Sequence, residues 1–395
     1  MPEIGGETAP GFEIVREAFA ANLAGGQEIG AAVGVYLHGE KVVDLWGGVA
    51  DPGTGRRWER DTLAVVFSTT KGVTAACAHL LAQRGELDLD APVAKYWPEF
   101  AANGKERIPV RWLLTHQAGL PVIDRPITPA QALTWEPMVN ALAAQRPVWE
   151  PGTAHGYHAH TYGWLVGEVV RRVSGRSIGA FLAEEIAAPL GLDLWIGLPE
   201  SEQHRVARIV VPPPAPGGQA AIDLDSVPEA AREMIAAFTD PASLSMRAMS
   251  VVTPMLNHDD PAEQRAEFPA TNGICTARAL ARCYAALIGE VDGHRILTPE
   301  TLAAATSLQV SGKDEILRTP VRIATGFGLP MPGLFWHSPA AFGFGGYGGS
   351  LGFADPATGL AFGYVMNHIQ EGVPDARAAG LLAAVQQAIE ARAQA

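Results

Sequence analysis

Ser68 and Lys71 lie three residues apart in VVFSTTKGVTAACAHLLAQRG (residues 65–85), where an apolar, strand-like run gives way to a helix-like one. In a helix, residues i and i+3 share a face. A serine at the first turn therefore holds its hydroxyl beside the lysine amine. The first N–H groups of a helix lack intrahelical partners and, with the helix dipole, favour negative charge. An oxyanion would be stabilised there. A serine hydroxyl becomes an effective nucleophile when a base takes its proton. A lysine serves as that base once burial or neighbouring positive charge brings its pKa well below the ~10.4 reference. The plainer reading is a chance Ser-x-x-Lys in which the serine only caps the helix.

Two further segments bear on that choice. WEPGTAHGYHAHTYGWLVGEVVRRVSG (149–175) passes from a Pro-Gly turn through Tyr157 into an amphipathic helix. A loop tyrosine either presents its hydroxyl to a cleft or props the loop as an aromatic staple. FGFGGYGGSLGF (342–353) is a glycine-rich strand, and glycine inside a strand usually marks close approach by a ligand or another backbone.

Together these three segments resemble the serine β-lactamase and penicillin-binding-protein superfamily. Within it the chain is most similar to the class C β-lactamase-like carboxylesterases, the family VIII esterases. LLTHQAGL (113–120), PGTAHGYHAHTYGWLVGEVVRRVSGR and GGSLGFADPATGLAFGYVMN match further segments of that family, so the likeness runs from about residue 10 to 390. The resemblance implies a covalent acyl-enzyme. Ser68 would be the nucleophile, and Lys71 and Tyr157 would share the general-base role, with Tyr157 returning the proton to the leaving group. The backbone N–H groups of Ser68 and Tyr347 would form the oxyanion hole. No metal or organic cofactor is implied.

The sequence departs from the β-lactamase pattern at two places. The Tyr-x-Asn motif is here Tyr157-His158-Ala159, without the asparagine amide. The Lys-Thr-Gly opening of the glycine-rich strand is here Phe344-Gly345-Gly346. A phenyl ring cannot pair with a lactam carboxylate, but it can line a pocket for an uncharged acyl or alcohol group. Phe344, Gly345, Gly346, His158 and Ala159 are accordingly expected in a pocket for a small neutral ester, with weak cephalosporin activity left open. A β-lactamase, a DD-peptidase or an acyltransferase would use the same residues. A receptor with a dead site predicts loss of Ser68, Lys71 or Tyr157, and all three are present.

Other patterns compete. Gly348-Gly349-Ser350-Leu351-Gly352 fits the nucleophile elbow of α/β-hydrolases, but only 45 residues remain after Ser350, with Asp355 and His368 just 13 apart, too little for the missing strands and helices of that fold. Gly343, Gly345 and Gly348 fit a dinucleotide fingerprint without a following βαβ unit. His155, His158 and His160 suggest zinc but lack a carboxylate or cysteine at ligand spacing, so loop histidines lining the cleft are expected. His116 is expected to make a structural hydrogen bond near a helix end.

The elements that must position these residues follow from periodicity. Residues 11–24 read as an amphipathic helix. Two β-rich runs around HGEK read as a hairpin, LAVVF as a short third strand, and 71–84 as a helix stopped at Gly85. Helices are expected over 109–116, 129–145, 161–174, 177–187, 226–238 and 276–288. VPPPAPGGQ (211–219) reads as a loop. RIATGFGL, AAFGFGGY, SLGFAD and LAFGYVMN read as strands before a closing helix over about 375–393. The fold class is α/β of the α+β type, β-lactamase/DD-peptidase-like. Residues 1–85 and 296–395 would build an antiparallel sheet flanked by helices, and 86–295 a mostly helical lobe, with the site in the cleft between them.

Composition bounds the partners. Of 395 residues, 48% are hydrophobic and 18% charged, which fits a folded chain with a large core. A net charge of -13 argues against nucleic acid. No signal peptide or membrane-spanning run is visible. The three cysteines, Cys77, Cys275 and Cys283, are too few and too scattered for a disulfide framework. A cytoplasmic location is the expectation.

Overall fold

GAAVGVYL, the strand Gly30–Leu37, is buried at every residue but the last, because helices cover both faces of its sheet. Side chains alternate faces along a strand. Ala31, Val33 and Val35 join a cluster with Val15, Phe19, Leu381 and Val385 from the first and last helices, Glu13–Ala24 and Ala376–Gln394. Ala32 and Tyr36 join the larger cluster containing Leu280 and Tyr284. The computed structural model describes residues 3–212, 229–331, 338–370 and 375–394.

Among the described residues the main sheet has seven strands. Its order is Ile4–Thr8, Glu40–Asp51, Gly30–Leu37, Leu360–Met366, Leu351–Asp355, Phe342–Gly345, with Arg56–Arg57 paired to Glu40–Asp51 off this path. Every pairing is antiparallel. The expected hairpin turns at His38 and Gly39, with φ of 52° and 84°, the left-handed pair that matches strand twist. Strands from both chain ends thus meet in one sheet.

Three glycines line up across that sheet. Gly34 pairs with Gly363, and Gly363 with Gly352. A Cβ at Gly34 would stand 2.7 Å from Arg278 Cα, one at Gly363 2.4 Å from Ala277 O, and one at Gly352 2.7 Å from the Tyr284 ring. They form the groove in which the helix Ala277–Ile288 lies. That helix, expected with the helical segment 86–295, belongs by packing to the sheet.

Several other expectations are corrected. LAVVF does not enter the main sheet. Its strand is Ala64–Val65, in a small sheet with Gly273–Cys275 and Leu194–Ile196. RIATGFGL yields only Pro320–Ile323, hairpinned with Val310–Lys313. The single helix over 129–145 is two, Pro129–Ala132 and Glu136–Ala144. They break at Trp135, where φ is 64° and the indole N–H donates to Glu168 Oε2 at 2.8 Å. That tertiary bond overrides helix propensity. The helix expected over 177–187 is Ile178–Leu182, continued by a wider turn over Ala183–Ala187. The helix over 161–174 is Thr161–Ser174, and that over 226–238 is described from Glu229 to Thr239. Most of the loop 211–219 lies outside the described residues.

Candidate active site

The strand-to-helix joint is built by backbone bonds. Val66 N–H donates to Gly273 O at 2.8 Å. Phe67 then takes a φ of 44°, a left-handed conformation that is an outlier for a bulky residue and turns the chain. Thr70 N–H to Phe67 O and Lys71 N–H to Ser68 O, both 3.0 Å, close the first turn. The helix runs Thr70–Gln83, and Gly85 beyond it has a φ of 74°. Thr69, not Ser68, stands at the cap position and makes no side-chain cap bond. Ser68 is half-buried. The cap reading of Ser68 therefore fails.

Lys71 is fully buried. Its Nζ lies 3.2 Å from Ser68 Oγ, 2.8 Å from Ala159 O and 3.1 Å from Ala270 O. Burial pushes its pKa well below 10.5, because desolvation penalises the ammonium. The Tyr157 hydroxyl donates to Ser68 Oγ at 2.7 Å. Burial raises the Tyr157 pKa above 10, against the Ser68 hydrogen bond, and Asp314 adds to the rise. The two groups are thus driven apart. Lys71 is the one inclined to lose its proton, and Tyr157 the one inclined to keep it.

Phe344, Gly345, Gly346 and Tyr347 rim this cluster, and all have exposed surface. The Phe344 ring stacks on Tyr157 at 6.4 Å, and Lys71 Nζ lies 5.8 Å from its centre. A Cβ on Gly346 would stand 2.2 Å from both Val66 O and Ser350 Oγ, so the glycine-rich strand approaches the backbone that leads into Ser68. Tyr347 opens the turn Tyr347–Gly349, and its ring meets Phe67 edge-on at 5.6 Å.

His158 and Ala159 do not line the pocket as expected. Both are buried behind the tyrosine. His158 Nε2 accepts from Leu120 N–H at 3.0 Å, and its Nδ1 lies 2.6 Å from Gly156 O. Burial lowers its pKa to about 4, so it stays neutral. Ala159 contributes only its carbonyl. His116 Nδ1 accepts from His158 N–H at 3.1 Å, a structural bond as expected, while His160 Nε2 lies 3.1 Å from Met249 O. Among the described residues no group of three His, Cys, Asp or Glu side chains is arranged to hold a metal ion. The Ser350 elbow is absent: its buried hydroxyl donates to Val66 O at 2.8 Å. Asp355 accepts from Ser338 and His368 Nδ1 lies against Gln27 O, so neither reaches Ser350.

Sequence reasoning missed two participants. The Ala270 carbonyl carries no side-chain signal at all. Asp314 Oδ1 accepts the Tyr157 N–H at 3.0 Å, yet in SGKDEILRT it looks like an ordinary loop acid.

A serine at a strand-to-helix joint, touched by a buried lysine and a loop tyrosine beside an antiparallel sheet, defines the serine β-lactamase and penicillin-binding-protein class of fold. The chain belongs to the Beta-lactamase family, whose model matches residues 15–387, and is an enzyme of the serine hydrolase kind. It is 38% identical over 377 residues to the Esterase/beta-lactamase LipL of Mycobacterium tuberculosis, covering 92% of this chain and 83% of that protein. It is similar to the crystal structure of a family VIII carboxylesterase, with a TM-score of 0.87, 40% identity, and 98% and 100% of the two chains covered. It is also similar to a penicillin-binding-protein homologue from Caulobacter crescentus, with a TM-score of 0.84, 38% identity and the same coverage. No helix among the described residues is long and apolar enough to cross a membrane.

Proposed function

We propose that the protein is a carboxylesterase that hydrolyses neutral short- to medium-chain carboxylic esters through an acyl-enzyme on Ser68. One observation carries the reading: Tyr157 Oη and Lys71 Nζ converge on Ser68 Oγ at 2.7 and 3.2 Å, and the amine's other partners are neutral carbonyls.

A neutral Lys71 amine donates two N–H bonds to Ala159 O and Ala270 O and turns its lone pair to the Ser68 hydroxyl. As Oγ bonds to the ester carbon, the serine proton passes to Lys71. The tetrahedral oxyanion is received by the Ser68 and Tyr347 N–H groups, each worth about 3–4 kcal/mol. The bond to the alcohol oxygen breaks, the departing alkoxide takes the Tyr157 proton, and the Lys71 ammonium restores it. Water then attacks the acyl carbon by the same route, giving up its proton to the lysine–tyrosine pair. The carboxylic acid leaves and Ser68 is regenerated. Atoms and charge balance in both halves.

Phe344 supports a neutral substrate, because no cation stands at the start of the glycine-rich strand to meet a carboxylate. The likeness to a family VIII carboxylesterase supports the ester, and the doubled name of the LipL relative keeps a minor β-lactam activity in view. Intact-protein mass after incubation with a p-nitrophenyl acyl ester tests the reading. A stoichiometric acyl adduct kept in Ser350→Ala and lost in Ser68→Ala is expected. An adduct that survives Ser68→Ala would sink it.

A further inference from the structure

The loop that carries Tyr157 has three consecutive N–H groups in use. Gly156 N–H donates to His116 O at 3.0 Å, Tyr157 N–H to Asp314 Oδ1 at 3.0 Å, and His158 N–H to His116 Nδ1 at 3.1 Å. The outer two acceptors belong to one residue. The middle one, on the tyrosine itself, is a side chain 157 residues further along.

Asp314 is built to hold that place. It is fully buried. Its Oδ1 also accepts from Ile316 N–H and Leu317 N–H, each at 2.8 Å. Its own N–H donates to Thr319 O at 2.9 Å, and its carbonyl accepts from Arg318 N–H at 3.0 Å. The carboxylate is thus nailed into the turn that joins Val310–Lys313 to Pro320–Ile323. Glu315 N–H donates to His155 O at 3.0 Å, so the two loops run side by side like paired strands, with the aspartate completing the ladder. Gly156 permits the approach: a Cβ there would stand 2.7 Å from the Trp149 ring, 3.0 Å from Ile316 and 3.2 Å from Glu315. Burying a carboxylate is costly, and Asp314 Oδ2 has no hydrogen-bond partner among the described residues. The turn's own two bonds need only one acceptor oxygen, which a neutral Asn or Ser supplies in ordinary turns. The third bond on that oxygen, from the backbone N–H of Tyr157, is one the turn itself does not need.

We propose that Asp314 is a positioning residue for the reaction, setting the Tyr157 hydroxyl on Ser68 through the tyrosine's backbone N–H. This rests on the reading of Tyr157 as the proton donor to the leaving group. Rates fall about 10²-fold for a misplacement near 1 Å.

A mutant cycle tests it: kcat and KM on a p-nitrophenyl acyl ester for the wild type, Asp314→Ala, Asp314→Asn, Tyr157→Phe and the Asp314→Ala/Tyr157→Phe pair, with thermal midpoints. Asp314→Ala is expected to lower kcat by about 10- to 100-fold with KM little changed. Asp314→Asn keeps an oxygen acceptor and should recover most of kcat. In the Tyr157→Phe background the alanine should cost under about twofold more, since residues acting through one another are not additive. An equal loss in both backgrounds, or a fully active Asp314→Ala, overturns the proposal while leaving the Ser-Lys-Tyr reading intact. Full activity of Tyr157→Phe removes that reading and the proposal with it. Should Asp314→Ala fail to fold, the same cycle with Asp314→Ser decides, because a serine can serve the turn on a side chain too short to keep the Tyr157 bond: a kcat loss that vanishes in Tyr157→Phe supports the proposal, and no loss, or one that persists undiminished there, overturns it.

Discussion

Two lysines are buried among the described residues, Lys71 and Lys105, and backbone carbonyls cage both. Lys105 Nζ donates to Ala102 O at 2.7 Å, Ala143 O at 3.0 Å and Gln145 O at 2.6 Å. Three acceptors match the three protons of an ammonium, and Ala143 lies in the last turn of Glu136–Ala144, where a cation is favoured. Burial and the nearby Arg146 lower its pKa only to about 8, so it stays charged at pH 7. Lys71 has two carbonyls and, in third place, the Ser68 hydroxyl. A hydroxyl accepts or donates, so this cage is satisfied with or without the proton. The comparison separates a staple from the proposed base: both side chains are buried, Lys71 the more deeply, and only Lys71 has a third partner that can also give it a proton.

The largest expected effect breaks the comparison in activity. Lys71→Met should lower kcat/KM on a neutral ester by about 10²–10⁴-fold, the span of a general base. Its denaturation midpoint should move little, because two carbonyls lose a donor while a buried amine's desolvation cost is removed. Lys105→Met should do the reverse. Three charge-assisted bonds at a helix end are lost, which outweighs the ammonium's desolvation relief, so stability should fall by about 1–3 kcal/mol with kcat unchanged. Denaturant melts beside steady-state rates for both variants check the crossing. A Lys105→Met enzyme that is stable but slow would mean that the third partner does not sort the two.

The pH profile sharpens the same contrast. The proposed mechanism needs a neutral Lys71, so kcat/KM should fall as pH drops through the Lys71 pKa, and that pKa lies well below 10.5. Tyr157 is displaced the other way, above 10, so no decline should begin below pH 10. The opposite displacements assign the acid limb to Lys71 only. A limb at the ordinary lysine value would contradict this.

Lys71 was legible in the sequence and Lys105 was not, for a physical reason. Helix spacing alone joins Ser68 to Lys71, whereas Tyr157, 89 residues from Ser68, was placed beside them only by the family resemblance. The sheet was legible too, since GAAVGVYL and LAFGYVMN alternate between two covered faces. The cages were not. Ala159, Ala270, Ala102 and Gln145 act through backbone oxygens, which every residue type carries. Asp314 reaches Tyr157 across two loops, a contact that no periodicity encodes. LAVVF misled because two paired residues are too few to tell which sheet receives them.

The smallest effect asks whether burial or the cage sets Lys71. Thr74 is fully buried on the same helix, and its hydroxyl donates to Pro269 O at 2.6 Å, next to the Ala270 carbonyl that holds the amine. Thr74→Val keeps the shape and the dryness but frees that stretch of chain from its tie. One buried carbonyl then loses its partner, a loss of about 1 kcal/mol visible as a small shift in denaturation midpoint. If desolvation governs, the acid limb of kcat/KM stays where it is, because Lys71 remains as buried as before. If the limb moves down instead, the placing of the Ala270 carbonyl matters beside dryness, because a displaced acceptor favours the neutral amine, and the difference between the two lysines lies in the whole cage rather than in its third partner.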